Sequence, residues 1–411
     1  MAVLLQINSG IVGSTGSIMI SIDKYAKQAG FQTYIASVNN KSSRADYPEN
    51  HITIGSIIEK HVHRFLGKFT GNEGAFSYYA TRRFLRKVDQ IHPDIIQLHN
   101  LHWNYINLPI LFKYLKSHES IKVVWTLHDC WSYTGHCPYY DLVSCDLWKT
   151  ECHNCKVYKS YPQSYRDNSR KMHRRKKQWF LGMPNLSLVT PSNWLNNEVE
   201  KSFMTNYSRK VISNGIDTKT FNYRDSGFRS RYGICHKFLI MGSAYSWSER
   251  KGFDCFIALS KLLDERFQII MVGGFEKEQE ILCDEHGIIH MQRISSKEEM
   301  AGLYSTGDVF FNPTREEMFG LVNIEAQACG TPVITFNTGG SPECIGDGCG
   351  FVVEKDDLNE VFNRIMYLYL NKDKVDKDKI RRWAIQFEAG EMYQKYITLY
   401  KGLLIDKYGD N

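Results

Sequence analysis

The sequence predicts an α/β protein made of two doubly wound parallel sheets, one in each half of the chain. The chain has 411 residues and 43% apolar content, enough for the cores of two or three domains. Short apolar segments of strand length alternate with helical patterns, which is typical of parallel sheets. This alternation restarts near Lys210. We therefore expect an N-terminal domain over residues 1–210 and a C-terminal domain over residues 211–382.

The composition excludes several classes of protein. A net charge of +6 is mild for this length and does not indicate a nucleic-acid partner. No apolar run reaches the roughly 18 residues of a membrane-spanning helix. The start of the chain, M-A-V-L-L-Q-I-N-S-G, lacks the basic leader of a signal peptide. We therefore expect a cytoplasmic protein, in which the eleven cysteines are free thiols or metal ligands.

The N-terminal half opens with a predicted strand over residues 3–7. The glycine-bearing loop N-S-G-I-V-G-S-T-G follows, and a predicted helix over residues 17–29 ends at Gly30. The loop does not match the G-x-G-x-x-G pattern of dinucleotide-binding domains. A tight turn between strand and helix, without a ligand, is the alternative to a binding role.

Two further predicted strands, residues 94–99 and 122–128, end in the polar clusters H-N-L-H-W-N and T-L-H-D. Doubly wound sheets bind ligands at the carboxyl ends of their parallel strands. A single histidine at such a position can also be purely structural. The candidate ligand contacts at these ends are His99, His102, His128 and Asp129.

The C-terminal half has its most informative segment between two predicted strands. The apolar run 308–312 predicts a strand, residues 319–329 predict a helix, and a polar loop joins them. Glu317 lies in the loop and Glu325 eight positions later, a spacing that allows both carboxylates to face one side.

This segment has the chemistry that a nucleotide sugar requires. Ionised carboxylates accept hydrogen bonds from vicinal hydroxyl groups. The backbone amides of Phe319 and Gly320 would be free at the helix N-terminus, where a phosphate group is favoured. Upstream, Arg250 and Lys251 precede Gly252 at a predicted helix start, where the two cations would neutralise a diphosphate. The alternatives are a surface loop before a core helix and two surface cations.

The run E-E-M-F-G-L-V-N-I-E-A-Q-A-C-G-T-P-V-I, with G-G-S-P-E downstream, resembles the donor motif of retaining glycosyltransferases of family 4, the glycosyl transferases group 1. The resemblance implies the GT-B fold, with two Rossmann-like domains facing a cleft. It also implies that a C-terminal helical segment, about residues 383–411, returns to the first domain. Residues 211–221 resemble the crossing between the two domains.

The resemblance implies a role for each matched residue. Glu325 would bind the ribose, Glu317 the sugar hydroxyls, and His128 the donor sugar. The family places its arginine several residues before the lysine of K-G; because Ala244 to Ser246 stand there, Arg250 is the candidate in its place. Catalytic residues would be His128 and Glu317. Donor-binding residues would be Gly16, Arg250, Lys251, Gly273, Phe319, Gly320, Leu321 and Glu325. Residues of the cleft and acceptor side would be Gly13, Asp129 and His99.

A cysteine-rich loop over residues 130–155 predicts a metal site. Cys137, Cys145, Cys152 and Cys155 form a C-x7-C-x6-C-x2-C array, and four thiolates suit a tetrahedral, structural zinc ion. Free thiols and disulfides are the alternatives. A similar insertion occurs in a subset of polysaccharide-assembling family members. We expect no metal in the chemistry itself, because the predicted diphosphate clamp consists of cations and helix amides.

Residues 166–183 form the most basic run of the chain, with R-K-M-H-R-R-K-K followed by W-F-L-G-M. A cationic helix with adjacent aromatic residues is typical of a surface that docks on anionic lipid. The alternative is a solvated helix face.

Together these patterns predict a retaining glycosyltransferase that transfers a hexose from UDP- or GDP-hexose. The acceptor would be a saccharide or a lipid-linked saccharide in bacterial surface polysaccharide assembly, and the enzyme would be cytoplasmic or peripheral on the inner face of the cell membrane. The alternatives are a related epimerase or phosphorylase, or a non-catalytic module that binds a sugar nucleotide or a membrane.

Overall fold

The computed structural model describes residues 1–38 and 47–408, and these form two compact units. The first unit contains residues 1–213 and the C-terminal segment from Met392; the second contains Asn214–Glu391. The sequence placed the first crossing near Lys210 and the return at about residue 383. In the structure Trp383 still belongs to the second unit, where its indole N–H donates to the Cys344 carbonyl oxygen at 2.8 Å.

The first unit is a parallel sheet of seven strands with helices between them, in the order β3-β2-β1-β4-β5-β6-β7. Its strands are β1 (Val3–Ile7), β2 (Gln32–Ser37), β3 (His51–Thr53), β4 (Ile95–Leu98), β5 (Lys122–Thr126), β6 (Leu186–Thr190) and β7 (Ser208–Val211). Its helices are α1 (Gly13–Gln28), α2 (Ile57–Thr70), α3 (Tyr78–Ile91), α4 (Leu108–Ser117), α5 (Ser169–Phe180) and α6 (Asn193–Glu200).

The second unit repeats this design with six parallel strands, in the order β10-β9-β8-β11-β12-β13. Its strands are β8 (Phe238–Ser246), β9 (Phe267–Gly274), β10 (Ile289–Met291), β11 (Val309–Asn312), β12 (Val333–Phe336) and β13 (Gly350–Val353). Its helices are α7 (Phe228–Arg231), α8 (Phe253–Ser260), α9 (Lys277–Glu285), α10 (Lys297–Thr306), α11 (Leu321–Ala328), α12 (Leu358–Leu370) and α13 (Lys377–Ile385). The final helix, α14 (Ala389–Tyr408), leads back into the first unit.

The central strands are buried because helices cover both faces of each sheet. Every residue of β4, β11 and β12 is buried, which explains their mostly apolar sequences; the polar exceptions are Gln97, Asn312 and Thr335. In the first unit, α14 covers β4 and β5 with tyrosines that satisfy buried polar groups. The Tyr400 hydroxyl donates to Gln97 Oε1 at 3.0 Å, and the Tyr396 hydroxyl lies 3.1 Å from Thr126 Oγ1.

Each sheet has one point where the strand order reverses, and a doubly wound sheet binds ligands at this point. It lies between β1 and β4 in the first unit and between β8 and β11 in the second. The loops after these strands carry the glycine loop, His99, Lys251 and Glu317. Among the helices of the described chain, none is long and apolar enough to cross a membrane.

Candidate active site

The second unit brings Lys251 and Glu317 together at the reversal point. Lys251 ends a short 3-10 turn, Glu249–Lys251, that follows β8, whereas Glu317 lies in the loop after β11. Lys251 Nζ is 2.8 Å from Glu317 Oε2 and 3.5 Å from Thr314 Oγ1. The side chains of both ions remain about one fifth exposed, at 21% and 22%. The pair is therefore accessible to a ligand that would replace either partner.

The electrostatics keep Glu317 ionised. Burial alone would raise its pKa, but the Lys251 ammonium, Arg250 and the Met318 N–H outweigh that effect and lower the pKa below its usual value. Met318 N–H donates to Glu317 Oε1 at 3.1 Å. An ionised carboxylate at this position is a hydrogen-bond acceptor for hydroxyl groups and not a proton donor.

Arg315 positions this loop, a role that the sequence did not reveal. Its guanidinium donates to both carboxylate oxygens of Asp254 on α8, at 2.8 and 2.6 Å, and its Nε donates to Asp356 at 2.7 Å. A bidentate pair of this kind fixes geometry as well as charge. Arg315 N–H also donates to the Arg250 carbonyl oxygen at 2.9 Å, and Arg250 Nη1 donates to the Glu316 carbonyl oxygen at 3.3 Å. The loop that carries Arg250 and Lys251 is thus hydrogen-bonded to the loop that carries Glu317.

Two glycines allow the close approach of these loops. A Cβ on Gly252, whose φ is +72°, would lie 2.4 Å from the Pro313 carbonyl oxygen. A Cβ on Gly339, at φ +54°, would lie 1.8 Å from the Glu317 carbonyl oxygen. Gly340 N–H donates to that same oxygen at 2.9 Å. The G-G-S-P-E segment therefore supports the Glu317 backbone directly.

The N-terminus of α11 is held by a buried polar network. Asn312 Nδ2 donates to Asn323 Oδ1 at 2.8 Å, and Asn323 Nδ2 donates to Ser341 Oγ at 2.9 Å. Gly320 has φ +101° and α11 begins at Leu321, two residues later than predicted. Within residues 1–38 and 47–408, the amides of Phe319 and Gly320 donate to no acceptor. They remain able to bind an anion at the helix N-terminus.

Glu325 has a different environment from Glu317. The Tyr304 hydroxyl donates to Glu325 Oε2 at 3.2 Å. Burial raises the pKa of Glu325 to about 7, although Tyr304 and Lys297 act in the opposite direction. The two carboxylates of the motif therefore differ in charge near neutral pH, because Glu317 forms a direct ion pair with Lys251, whereas the hydrogen-bond donor to Glu325 is the neutral Tyr304 hydroxyl.

Gly273 lies at the end of β9, beside the end of β8. A Cβ at this position would lie 2.2 Å from the Ala244 carbonyl oxygen and 3.0 Å from the indole nitrogen of Trp247. Nearby, the Arg293 guanidinium lies 4.2 Å from the centroid of the exposed Tyr245 ring. The glycine is needed for the packing of these strand ends, whatever ligand binds there.

The first unit places the predicted histidines in a connected cluster. His99 Nδ1 is 3.0 Å from His128 Nε2, and His99 Nε2 is 3.2 Å from Gln6 Oε1. The two imidazole rings stack, with centroids 5.3 Å apart. Burial lowers the pKa of His128 to about 4 and lowers that of His99 well below its usual value. Both are therefore neutral at physiological pH and act as hydrogen-bonding groups.

Asp129, after β5, is paired with His102, which follows the neighbouring strand β4. His102 Nε2 is 2.8 Å from Asp129 Oδ2, and Trp131 N–H donates to Asp129 Oδ1 at 2.9 Å. Burial alone would raise the pKa of Asp129, but His102 and the Trp131 N–H lower it. The carboxylate is thus already engaged within its own unit.

The predicted glycine loop belongs partly to a helix. Gly13 starts α1, and Gly16 lies in its first turns rather than before it. A Cβ on Gly16 would lie 2.4 Å from the Ile11 carbonyl carbon, so a side chain there would displace the loop. Asn8 supports the same loop, with Nδ2 donating to the Gly10 carbonyl oxygen at 2.9 Å.

The cysteine-rich loop brings together part of its predicted ligand set. All eleven cysteines lie in the described part of the chain, and none forms a disulfide. The Cys137 and Cys155 thiols are hydrogen-bonded to each other, and Gly135 N–H donates to Cys152 Sγ at 3.1 Å. Over residues 1–38 and 47–408, no group of three or more His, Cys, Asp or Glu side chains is arranged to hold a metal ion. Zinc in this loop stays a prediction.

The cations of the basic run are divided between the surface and the core of the first unit: Arg170, Lys171, Arg174 and Lys177 are exposed, whereas Lys176 is buried. In α5 the Lys176 side chain is buried, with Nζ donating to the Trp131 carbonyl oxygen at 2.5 Å and lying 3.4 Å from the centroid of the Trp131 ring. Arg174 is paired with Glu151. Phe180 and Met183, which were expected to dock on lipid, are in the core of the first unit.

Two protein families match the chain. The family described as Glycosyltransferase Family 4 matches residues 20–220, and the family described as Glycosyl transferases group 1 matches residues 235–371. The chain is a family 4, group 1 glycosyltransferase. This confirms the family and the enzyme class that the E-E-M-F-G-L-V-N-I-E motif predicted.

Related proteins support the same fold. The putative colanic acid biosynthesis glycosyl transferase WcaC of Escherichia coli (strain K12) is 22% identical over 336 residues, which are 76% of this chain and 77% of that protein. Sucrose-phosphate synthase from Thermosynechococcus elongatus superposes with a TM-score of 0.75 at 16% identity, over 99% of this chain and 100% of that one. Anabaena Alr3699/HepE, solved in complex with UDP, superposes with a TM-score of 0.64 at 16% identity, over 98% and 100%. The predicted GT-B fold class is confirmed.

Proposed function

We propose that this glycosyltransferase transfers a hexose from a nucleoside-diphosphate sugar to a saccharide or lipid-linked saccharide, with retention of the anomeric configuration. The observation that carries the proposal is the Lys251–Glu317 pair, 2.8 Å apart, beside the free amides of Phe319 and Gly320. A lysine, two amides and an ionised carboxylate match the diphosphate and the sugar hydroxyls of such a donor. UDP in the solved Anabaena relative supports a nucleotide donor.

In this proposal the donor breaks the ion pair between Lys251 and Glu317 and binds both side chains. Lys251 binds the diphosphate. Arg250 and the amides of Phe319 and Gly320 stabilise the negative charge that develops as the leaving group departs. Glu317, released from the lysine, accepts hydrogen bonds from the sugar hydroxyls. Glu325, further along α11, binds the ribose hydroxyls. His128 is neutral, because burial lowers its pKa to about 4. It therefore contacts the donor sugar as a hydrogen-bonding group and not as a cation.

The acceptor class rests on a relative. The E. coli protein is named for colanic acid biosynthesis and a Staphylococcus aureus relative for capsular polysaccharide biosynthesis, and these names support a polysaccharide as the product class. The remaining alternatives are an epimerase, a phosphorylase and a non-catalytic binding protein. Glycosyl transfer releases nucleoside diphosphate, which a non-catalytic binding protein does not. It requires no isomerisation of the sugar, unlike an epimerase, and no inorganic phosphate, unlike a phosphorylase.

A thermal-shift screen across UDP-, GDP-, ADP- and dTDP-sugars tests the donor site. We expect one nucleotide class to raise the melting temperature, by mass action on the folded state. Lys251→Ala should weaken binding of that nucleotide by roughly 1.5–3 kcal/mol, the range for hydrogen bonds to charged groups. Lys261→Ala, at an exposed position just after α8, is the matched control and should bind normally. Equal affinity of the Lys251 variant would contradict the proposed site.

A further inference from the structure

Helix α2 turns its cationic side toward a cavity in the first unit. Lys60, Arg64 and Lys68 are spaced four residues apart, on the same side of the helix as the buried Gly67. All three line a cavity of about 750 Å³, a volume typical of small-molecule sites. The other walls of this space, here called the α2 cavity, come mainly from the loop after β4 and from residues 159–164, which follow the cysteine-rich loop.

The α2 cavity has an excess of positive charge. Among the described residues that line it, four are lysine or arginine, Lys159 being the fourth, and one is acidic. Within residues 1–38 and 47–408, none of the four cations pairs with a carboxylate. Lys68 Nζ instead donates to the neutral Gln163 Oε1 at 2.6 Å. Burial lowers the pKa of Lys60, and the nearby charge of Arg64 lowers it further. An anion bound here would therefore offset a repulsion between cations.

The carboxylate in the lining belongs to Glu73, and it is already engaged. Its Oε1 accepts from the Trp103 backbone N–H at 3.3 Å, and its Oε2 accepts from the Trp131 indole N–H at 3.0 Å. Its charge also acts on the buried Lys176, whose pKa it raises against the effect of burial. Because Glu73 has these partners, the four cations remain able to bind an external anion.

Trp103 gives the cavity a surface that fits a sugar ring. Its side chain is 48% exposed and lines the cavity, with Lys60 Nζ 5.5 Å from the ring centroid. The Trp103 backbone has φ +89°, a conformation that costs energy for a bulky residue. The C–H face of a hexose packs on an aromatic ring, while its hydroxyl groups bind polar atoms nearby. A tryptophan beside cations is therefore suited to a sugar that also carries negative charge.

Two hydrogen-bond acceptors in the lining of the cavity lack a donor. Asn104 Oδ1 and His136 Nε2 are buried, and neither has a partner in the described part of the chain. The His136 ring donates instead to the Pro162 carbonyl oxygen. Burial lowers the pKa of His136, so the imidazole is neutral and Nε2 is an acceptor. A buried acceptor without a donor is costly, and sugar hydroxyl groups are donors of the kind that both atoms lack.

Hydrogen bonds connect the α2 cavity to the residue next to His128. The Tyr161 hydroxyl, in the lining of the cavity, lies 3.1 Å from His102 Nδ1, and His102 Nε2 is 2.8 Å from Asp129 Oδ2. Asp129 directly follows His128, which contacts the donor sugar in the proposed function. This connection favours a ligand that takes part in the transfer.

We propose that the α2 cavity binds a saccharide that carries an anionic group and that this saccharide is the acceptor, an assignment that rests on the proposed function. Lys60 and Arg64 bind the carboxylate or phosphate group of the saccharide. The sugar ring packs on Trp103, and its hydroxyl groups donate to Asn104 and His136. The acceptor is therefore an acidic saccharide, whereas a neutral sugar of the same size leaves the cations without a counter-charge.

Saturation-transfer NMR with the intact chain at low salt, without nucleotide, tests the cavity. Glucuronic acid and glucose 6-phosphate are the acidic probes, and the tighter of the two identifies the anionic group. Glucose and inorganic phosphate should each bind at least about tenfold more weakly than that probe.

Variants locate the binding. Lys60→Gln with Arg64→Gln should weaken the tighter probe by about tenfold or more, the effect of losing hydrogen bonds to charged groups. Arg86→Gln with Lys87→Gln is the matched control, because it removes two exposed cations of α3, and it should bind as the parent does. Trp103→Leu, which keeps a Cβ at the same backbone conformation, should weaken the acidic sugars and leave inorganic phosphate unchanged.

The comparison of probes on the parent needs no variant, so the proposal is testable even if a variant fails to fold. Equal binding of glucose and the acidic sugars would overturn it, and so would acidic-sugar binding that the loss of Lys60 and Arg64 leaves unchanged. Equal binding of inorganic phosphate and glucose 6-phosphate would reduce the cavity to a simple anion site.

The acceptor assignment has its own readout. With the donor selected by thermal shift, the tighter acidic probe should accelerate release of nucleoside diphosphate, and glucose should not. Acidic-sugar binding without this acceleration would reject the acceptor role. A failure of sugar binding beside a normal nucleotide-induced thermal shift would overturn the cavity alone, whereas sugar binding without any nucleotide-induced shift would overturn the proposed donor site.

Discussion

The contrast between the two glutamates of the motif predicts a pH-dependent donor affinity. Burial raises the pKa of Glu325 to about 7, and the group that faces it as a hydrogen-bond donor is the Tyr304 hydroxyl, with Lys297 as a nearby charge. Ribose hydroxyls donate to a carboxylate, so binding favours its ionised form. Donor affinity should therefore fall as the pH decreases through 7, because a proton must first leave Glu325.

The size of the effect follows from that pKa. When only the ionised form binds, the apparent dissociation constant is the intrinsic constant multiplied by one plus the ratio of protonated to ionised Glu325. With a pKa of about 7, the donor should bind about tenfold more weakly at pH 6 than at pH 8. Glu317 is ionised in the unliganded enzyme over this range, since Lys251 keeps its pKa low.

Calorimetric titration with the sugar nucleotide selected by thermal shift measures this dependence. A sugar nucleotide is preferable to a free nucleoside diphosphate, whose terminal phosphate itself titrates near pH 6. Glu325→Gln should bind more weakly than the parent at pH 8 and show a flat pH profile. Tyr304→Phe removes the hydroxyl that favours the ionised form, so its midpoint should move to higher pH.

Two results would refute this reasoning. The first is a parent affinity that does not change between pH 6 and pH 8. The second is a pH dependence that persists in Glu325→Gln, which would assign the titration to another group. Either result would separate Glu325 from the ribose.

Three further predictions use the same geometry. Glu317→Gln should strongly lower turnover. Its affinity for free nucleotide should be equal to that of the parent or slightly tighter, because the Glu317 carboxylate no longer competes for Lys251. Loss of nucleotide affinity would reverse the assignments of Glu317 and Glu325. Gly339→Ala should abolish the donor-dependent thermal shift, because a Cβ there would collide with the Glu317 carbonyl oxygen. Gly182 also has a positive φ but has open space around it, so Gly182→Ala should cost only about 1–2 kcal/mol of stability. Equal behaviour of the two variants would contradict the steric argument. Metal analysis of protein purified without added zinc should give about one equivalent in the cysteine-rich loop, and four reactive thiols without metal would reject that prediction.

The fold was largely predictable because its central strands are mostly apolar and alternate with helical patterns along the chain. Strands β2, β3, β7 and β13 were not predicted. In β3 and β7 the sequences H-I-T and S-R-K-V are short and mostly polar. The motif identified Glu317 and Glu325 because the two residues are close together in the sequence. Arg315 was missed because its partner Asp254 is 61 residues away, a distance at which sequence patterns carry no signal.

In the basic run, the sequence pattern did not reveal which side chains are buried. A charge run usually lies on a solvated surface, yet Lys176 is buried against Trp131, 45 residues earlier. The exposed apolar side chains lie instead on α2, whose sequence I-I-E-K-H-V-H-R-F-L-G-K-F-T is amphipathic without revealing which side packs inward. Only the burial of Gly67 and His63 decides that.

The proposed chemistry is tested most directly by the configuration of the sugar that the enzyme releases. Proton NMR during slow hydrolysis of the selected α-linked sugar nucleotide by purified protein would identify the anomer that forms first. We predict the α-anomer, and we predict that Lys251→Ala releases sugar much more slowly while Lys261→Ala matches the parent. Initial formation of the β-anomer, or release that is unaffected by the loss of Lys251, would contradict a retaining glycosyltransferase with its donor site at the Lys251–Glu317 pair.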